Sequence, residues 1–272
     1  MEQPPVEAAS ANKSVLIVET PTQSNITPLN VGESGSTAVA PQTDYPVSID
    51  STEYANVLSN LLVKAGDAAN SYKPGWLVQT SSKESELTGD NGTLPNGTVI
   101  PEAYNMETWV NIDNTATVIQ SVSIMTGLDG QIIQVGIQDH GKGWNTATMT
   151  QKDVIPPSFI TRWENPLREI LAQLETEAVT MSRDFLNGSE VIYCSVFTFF
   201  PQPLQVNGVD EEIVSSEVVH WIDSATGLVL QIDIFSTTVS GERFKAQSTT
   251  YSPIEPVAAP DPAVLEYLEE TK

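Results

Sequence analysis

Between Glu53 and Ala69, apolar side chains recur at Tyr54, Val57, Leu58, Leu61, Leu62, Ala65 and Ala68, the three-and-four spacing of one helix face. Asp50, Ser51 and Thr52 supply oxygens that can cap the start, and Pro74-Gly75 stops the helix. A second amphipathic stretch follows Pro156-Pro157: Leu167, Ile170, Leu171, Leu174, Ala178 and Met181 share a face, while Glu164, Glu169, Glu175 and Glu177 occupy the other. Here Asn165 can cap and Pro166 suits the first helical position. Asp261-Pro262 opens a short third helix carrying Val264, Leu265 and Leu268.

Strand patterning fills the rest. Trp76–Lys83 opens a sheet, and a polar loop from Glu84 to Pro101 carries Asn-Gly-Thr triplets at Asn91 and Asn96. Tyr104, Met106, Val110 and Ile112 then alternate with Asn105, Glu107, Asn111 and Asp113, which predicts a half-buried strand. Asp113-Asn114 turns into Ala116–Thr126, and Asp129-Gly130 predicts a hairpin into Gln131–Gln138, with Ile133, Val135 and Ile137 on one side. Beyond the second helix, Asn187-Gly188 joins Arg183–Leu186 to Val191–Phe200, a strand apolar on both faces. Ile213–Asp223 and Leu228–Phe235 pair across Ser224-Ala225-Thr226-Gly227, and Glu242–Tyr251 is a last strand. Hairpin turns dominate, no βαβ alternation occurs, and no repeat of solenoid or propeller period is present. The predicted class is α+β: one antiparallel sheet, long enough to twist and curl around amphipathic helices.

Residues 1–46 are rich in Pro, Ser, Thr, Asn, Gln and Ala and hold one apolar cluster, Val15-Leu16-Ile17-Val18. That composition predicts a disordered polar linker or tether. The expected domains are therefore residues 1–46 as linker, 47–258 as the folded domain, and 259–272 as a short C-terminal helix and tail.

Charge removes several functions. Of the 272 residues, 35 are Asp or Glu and 12 are Lys or Arg, a formal −23. Such a surface repels nucleic-acid phosphates and anionic headgroups, and no basic cluster offsets it, so no nucleic-acid partner is expected. No run approaches the roughly 18 apolar residues of a transmembrane span. The start, Met1-Glu2-Gln3-Pro4-Pro5, lacks a signal peptide's basic and apolar regions, which leaves a cytoplasmic protein or a mature sequence whose targeting segment Met1 replaces; the polar leader favours the second.

Chemistry is sparse. Cys194 is the one cysteine, set between Tyr193 and Ser195 in an apolar strand, where a thiol is an inert space-filler. His220 sits in an apolar strand beside Trp221 and reads as structural. In Asp139-His140-Gly141-Lys142-Gly143-Trp144, adjacent strand residues point to opposite faces, which opposes joint metal ligation and favours a solvated loop. Gly141-x-Gly143 is no phosphate loop, and no Gly-x-Ser-x-Gly elbow exists. No catalytic residue, metal site or cofactor is assigned, and the chain is expected not to be an enzyme.

The segment His220-Trp221-Ile222-Asp223-Ser224-Ala225-Thr226-Gly227-Leu228-Val229-Leu230-Gln231-Ile232 resembles the Trp-Ile-Asp hairpin of the lipoprotein-carrier superfamily. That LolA-like group includes outer-membrane lipoprotein carriers and MucB/RseB-type envelope regulators. Asp184–Cys194 resembles the hairpin before it, and the element order from Glu53 to Pro256 agrees. The resemblance implies an unclosed β-barrel around amphipathic helices, with an apolar concavity that holds acyl chains or other lipids. It implies an extracytoplasmic, lipid-anchored cell-envelope protein. The alternative it leaves open is an envelope-stress sensor of the MucB/RseB type, with another envelope protein as partner and no stable lipid. The polar insertion from Glu84 to Pro101 and the long leader depart from the small soluble carriers and suit a tethered lipoprotein better. Apolar positions expected to line the concavity are Trp76, Met106, Val110, Ile133, Val135, Leu171, Leu230, Ile232 and Ile234.

Overall fold

Asp50 Oδ1 accepts the Thr52 backbone N–H at 2.9 Å and so caps a 3-10 turn, Ser51–Glu53, that leads into α1, Tyr54–Ser71. The computed structural model describes residues 45–85, 93–94, 97–145, 150–153, 158–206 and 209–269. The predicted linker up to residue 44, residues 86–92 and 95–96 of the polar loop, Pro156-Pro157, and residues 270–272 of the C-terminal tail lie outside those residues.

In chain order the strands before the second helix are β1 (Val47–Ser48), β2 (Gly75–Ser85), β3 (Ala103–Ile112), β4 (Val118–Gly127), β5 (Ile132–Asp139), β6 (Lys142–Asn145) and β7 (Thr150–Asp153). After α2 (Phe159–Gln173) come β8 (Ala178–Leu186), β9 (Ser189–Leu204), β10 (Ile213–Asp223) and β11 (Val229–Thr238). The chain closes with β12 (Arg243–Tyr251), β13 (Glu255–Val257) and α3 (Pro262–Glu269). All pair antiparallel in one sheet of order β1-β8-β9-β10-β11-β12-β2-β3-β4-β5-β6-β7, and β13 continues along β2 beyond β12. The end strands β1 and β7 do not meet, so the barrel is unclosed, as the resemblance implies. Register shifts at Trp221/Ile222, Ile234/Phe235 and Asn111/Ile112 increase the local twist.

The turns follow their residues. Asn187 and Gly188 take φ of 51° and 85° between β8 and β9, the mirror-image conformation that matches strand twist. The Asp139–Lys142 segment is a hairpin of the same kind, with His140 at φ 44° and Gly141 at 84°, so the expected loop is a turn between two strands. At the β10–β11 turn, Asp223 Oδ1 accepts the N–H groups of Ala225 and Thr226. Gly227 (φ 72°) there lies so close to α1 that a Cβ would sit 2.2 Å from Leu61 O.

The second helix differs from its prediction. It starts at Phe159 and ends at Gln173, which places Pro166 and Asn165 inside it, with Ser158 as the N-cap. Ala178 and Met181 fit the helical spacing, yet they lie in β8 opposite Phe197 and Cys194. Cross-strand pairing of Val179 and Thr180, both β-branched, supplies what helical spacing alone does not measure. Helices α1 and α2 lie side by side and antiparallel: Tyr72 meets Phe159 edge-on at 5.8 Å, and Leu58 and Leu61 share a core with Leu167 and Ile170.

Candidate functional site at the uncovered end of the helix-bearing face

In register, Leu77 opposes Val110, and both pack with Ala69 of α1 and Phe159 of α2. On β8–β11, Met181, Cys194 and Ile222 face the same helix pair. Alternation then assigns every other strand residue to this helix-bearing face or to its reverse. The reverse is not bare. Over β3–β6, Trp109, Val122, Val135 and Ile137 point there and pack against Val264 and Leu268 of α3, with Trp76, Val78 and Trp144 at the margin. The sheet is thus covered on opposite faces at its two sides.

This divides the nine expected lining residues. Met106, Val110, Ile232 and Ile234 belong to the helix-bearing face, and Leu171 of α2 packs beside its core. Trp76 and Val135 lie on the α3 face, while Ile133 is the extra residue of the bulge between Met125/Gln134 and Thr126/Ile132. Leu230 is the extra residue of the bulge between Trp221/Gln231 and Ile222/Val229. Val110 and Val135 are buried in core clusters.

α1 and α2 cover one end of their face. Their clusters take in Ile192, Ile222, Val229, Val118 and Ile112, and reach no farther along the strands than Val196, Ile232 and Tyr251. Beyond them lie two cross-strand pairs, Val218 with Ile234 and Met106 with Met125, together with Tyr104. All five are half-buried and belong to none of the core clusters among the described residues. A straight cross-strand row runs through this region: Cys194, His220, Ile232, Thr249, Lys83 and Tyr104, each opposite the next. Tyr104 in turn opposes Gly127, at the rim of a cavity of about 740 Å³. Val99, Ile100, Pro101, Leu128, Ile132 and Ile133 line that cavity, and Val99, Leu128 and Ile132 are more than half exposed. A second cavity of about 600 Å³ is lined mainly by Thr80, Ser82, Asn105, Glu107, Thr126 and Thr250, on the reverse face. Ser81, Met106, Tyr251 and Ser252 complete its lining, and Trp109 Nε1 donates to Glu107 beside it.

The titratable groups of the row are few. Burial holds the His220 imidazole down to about 4, and its Nδ1 has no hydrogen-bond partner. Burial pushes the Cys194 thiol up to about 12, so it stays protonated and unreactive. Lys83 Nζ stands 5.4 Å from the centre of the Tyr104 ring, and burial lowers its pKa. Burial, then the neighbouring Tyr251, raises that of Tyr104. His140, the other histidine, lies 3.7 Å from Asp139 in an exposed turn. Among the described residues no group of three His, Cys, Asp or Glu could hold a metal, and no helix is long and apolar enough to cross a membrane.

No protein-family model and no curated protein sequence matches the chain. Among solved structures it is similar to the lipoprotein LppX of Mycobacterium tuberculosis, at 12% identity over 75% of this chain and 98% of that one, TM-score 0.37. It is similar to a DUF1329 family protein from Desulfovibrio piger, at 9% identity over 79% and 98%, TM-score 0.28. It is also similar to the LolA superfamily protein NE2245 from Nitrosomonas europaea, at 8% identity over 76% and 96%, TM-score 0.28. The last carries the family name that the Trp221 hairpin suggested.

Proposed function

We propose that this is a cell-envelope protein that binds acyl chains or another apolar ligand at the uncovered end of its helix-bearing face, and that it works by binding rather than by catalysis. The observation that carries the reading is the set Tyr104, Met106, Met125, Val218 and Ile234, apolar positions on one face that neither α1 nor α2 reaches. Two methionines opposite each other give an adaptable surface, suited to chains without fixed shape. Each methylene removed from water contributes about 0.8 kcal/mol, so affinity for a fatty chain needs no specific polar motif. On the same reading, residues 1–46 are a tether that spaces the domain from a lipid anchor, and the site lies outside the cytoplasm.

The test is displacement of a fluorescent fatty-acid probe from delipidated protein, with mass spectrometry of an organic extract of protein purified from a bacterial host. Co-purified lipid and saturable displacement are expected. Met106→Glu and Ile234→Glu should each weaken probe binding by about tenfold or more while the thermal midpoint is largely kept. Unaltered binding in both variants would move the site elsewhere, and absence of both lipid and probe binding would end the proposal.

A further inference from the structure

We infer that Lys83 anchors the anionic head of the bound molecule, which makes the ligand a long-chain amphiphile with a single negative charge, a fatty acid being the simplest. This rests on the reading above, that apolar chains bind at the uncovered end of the helix-bearing face.

The argument begins with charge placement. The chain carries a formal −23, yet the cross-strand registers put no carboxylate on the helix-bearing face of β10, β11, β12, β2, β3 or β4. Glu217, Asp233, Glu84 and Glu107 all fall on the reverse. Lys83 is the one charged residue on that face of those six strands. Everything else on it is apolar, hydroxyl or amide, apart from His220, which is neutral at ordinary pH.

Its pairing differs from that of the arginines and Lys245. Arg168, Arg183, Arg243 and Lys245 each have a carboxylate within 4 Å, namely Glu164, Glu190, Glu217 and Asp233. Lys83 has none among the described residues; its neighbour is the Tyr104 ring. Lys64 and Lys73, which have no carboxylate partner there either, are exposed, whereas Lys83 is half-buried. A half-buried ammonium without a counter-ion loses hydration and regains little of it from a ring face alone. A ligand carboxylate would restore the missing charge-assisted hydrogen bond.

Position completes the case. Lys83 and Tyr104 lie in the row that ends at Gly127 on the rim of the 740 Å³ cavity, and the Met106–Met125 pair is one step along the same strands. A head group at Lys83 leaves its chain beside Met106 and Met125 on β3 and β4, with Ile234 and Val218 on the other side of β2, on β11 and β10. One ammonium balances one negative charge, which favours a carboxylate over a dianionic phosphate.

The experiment titrates palmitate, hexadecanol and hexadecyl phosphate into the delipidated full-length chain, comparing wild type with Lys83→Met and Lys83→Arg. Wild type is expected to prefer palmitate to hexadecanol by about tenfold or more. Lys83→Met should abolish that preference and leave hexadecanol binding unchanged, and Lys83→Arg should retain it. A Lys83-dependent preference for hexadecyl phosphate over palmitate would keep the anion anchor but assign the head to a phosphate lipid. Equal binding of palmitate and hexadecanol by wild type overturns the anchor while the apolar site stands. Failure of all three to bind overturns the underlying reading as well. Urea unfolding of each variant separates lost anchoring from lost folding.

Discussion

His220 lies on the helix-bearing face between Cys194 and Ile232, with Nδ1 unpartnered, and burial keeps it neutral down to about pH 4. In the unfolded chain the same imidazole titrates near 6.5, so between these values the unfolded state binds the proton first. The folded state therefore has its full stability above pH 6.5 and loses up to about 3 kcal/mol as pH falls to 4. His220→Leu should flatten that slope in urea unfolding at pH 7 and pH 5; an unchanged slope would show that the imidazole is not the group responsible. Asp233, on the reverse face, acts in the same direction from a different cause. Burial there raises its pKa, but Ser248, Gln231, Trp221 and Lys245 outweigh that and hold it below the usual value. Its stabilising contribution is accordingly lost only at still lower pH. Sequence alone marks His220 as structural but conceals that its ring is left without a partner, because a partner is set by three strands and not by neighbours in the chain.

Among the elements, α3 demonstrates how much a short helix can matter. Val264 and Leu268 are buried against Trp109, Val122 and Val135, whereas Leu265 points outward. Leu268→Ala should lower unfolding free energy by about 2–4 kcal/mol, with Leu265→Ala below about 0.5 kcal/mol, both read by urea denaturation. Equal small effects would mean that α3 does not cover the sheet. Local chemistry made most elements legible: Asp50 for α1, Asn187-Gly188 and Asp129-Gly130 for hairpins, Asp261 for α3. The span of α2 was not legible, since Ala178 and Met181 satisfy helical spacing and strand burial alike. Strands β6 and β7, four residues each and made largely of polar residues and glycine, carry no strand pattern of their own.

At the scale of the molecule, the sheet reverses its apolar side between β11 and β5. Alternation in sequence tells which residues share a side of one strand, but not which side faces which helix; register and helix packing decide that. Hence Val135 and Trp76, expected beside Met106 and Ile232, lie across the sheet from them, and Ile133 sits at a bulge of β5. What remains on the helix-bearing face is a smaller apolar field at the end away from α1 and α2, with Lys83 as its one charge among those six strands. The most direct test of ligand binding there is photocrosslinking with a fatty acid carrying a diazirine near its chain terminus, mapped by peptide mass spectrometry. Saturable labelling of peptides containing Met106, Met125, Val218 and Ile234, competed by unlabelled fatty acid, is the predicted result. Labelling confined to the α3 side, at Val135 or Trp144, or labelling that no competitor reduces, would contradict it.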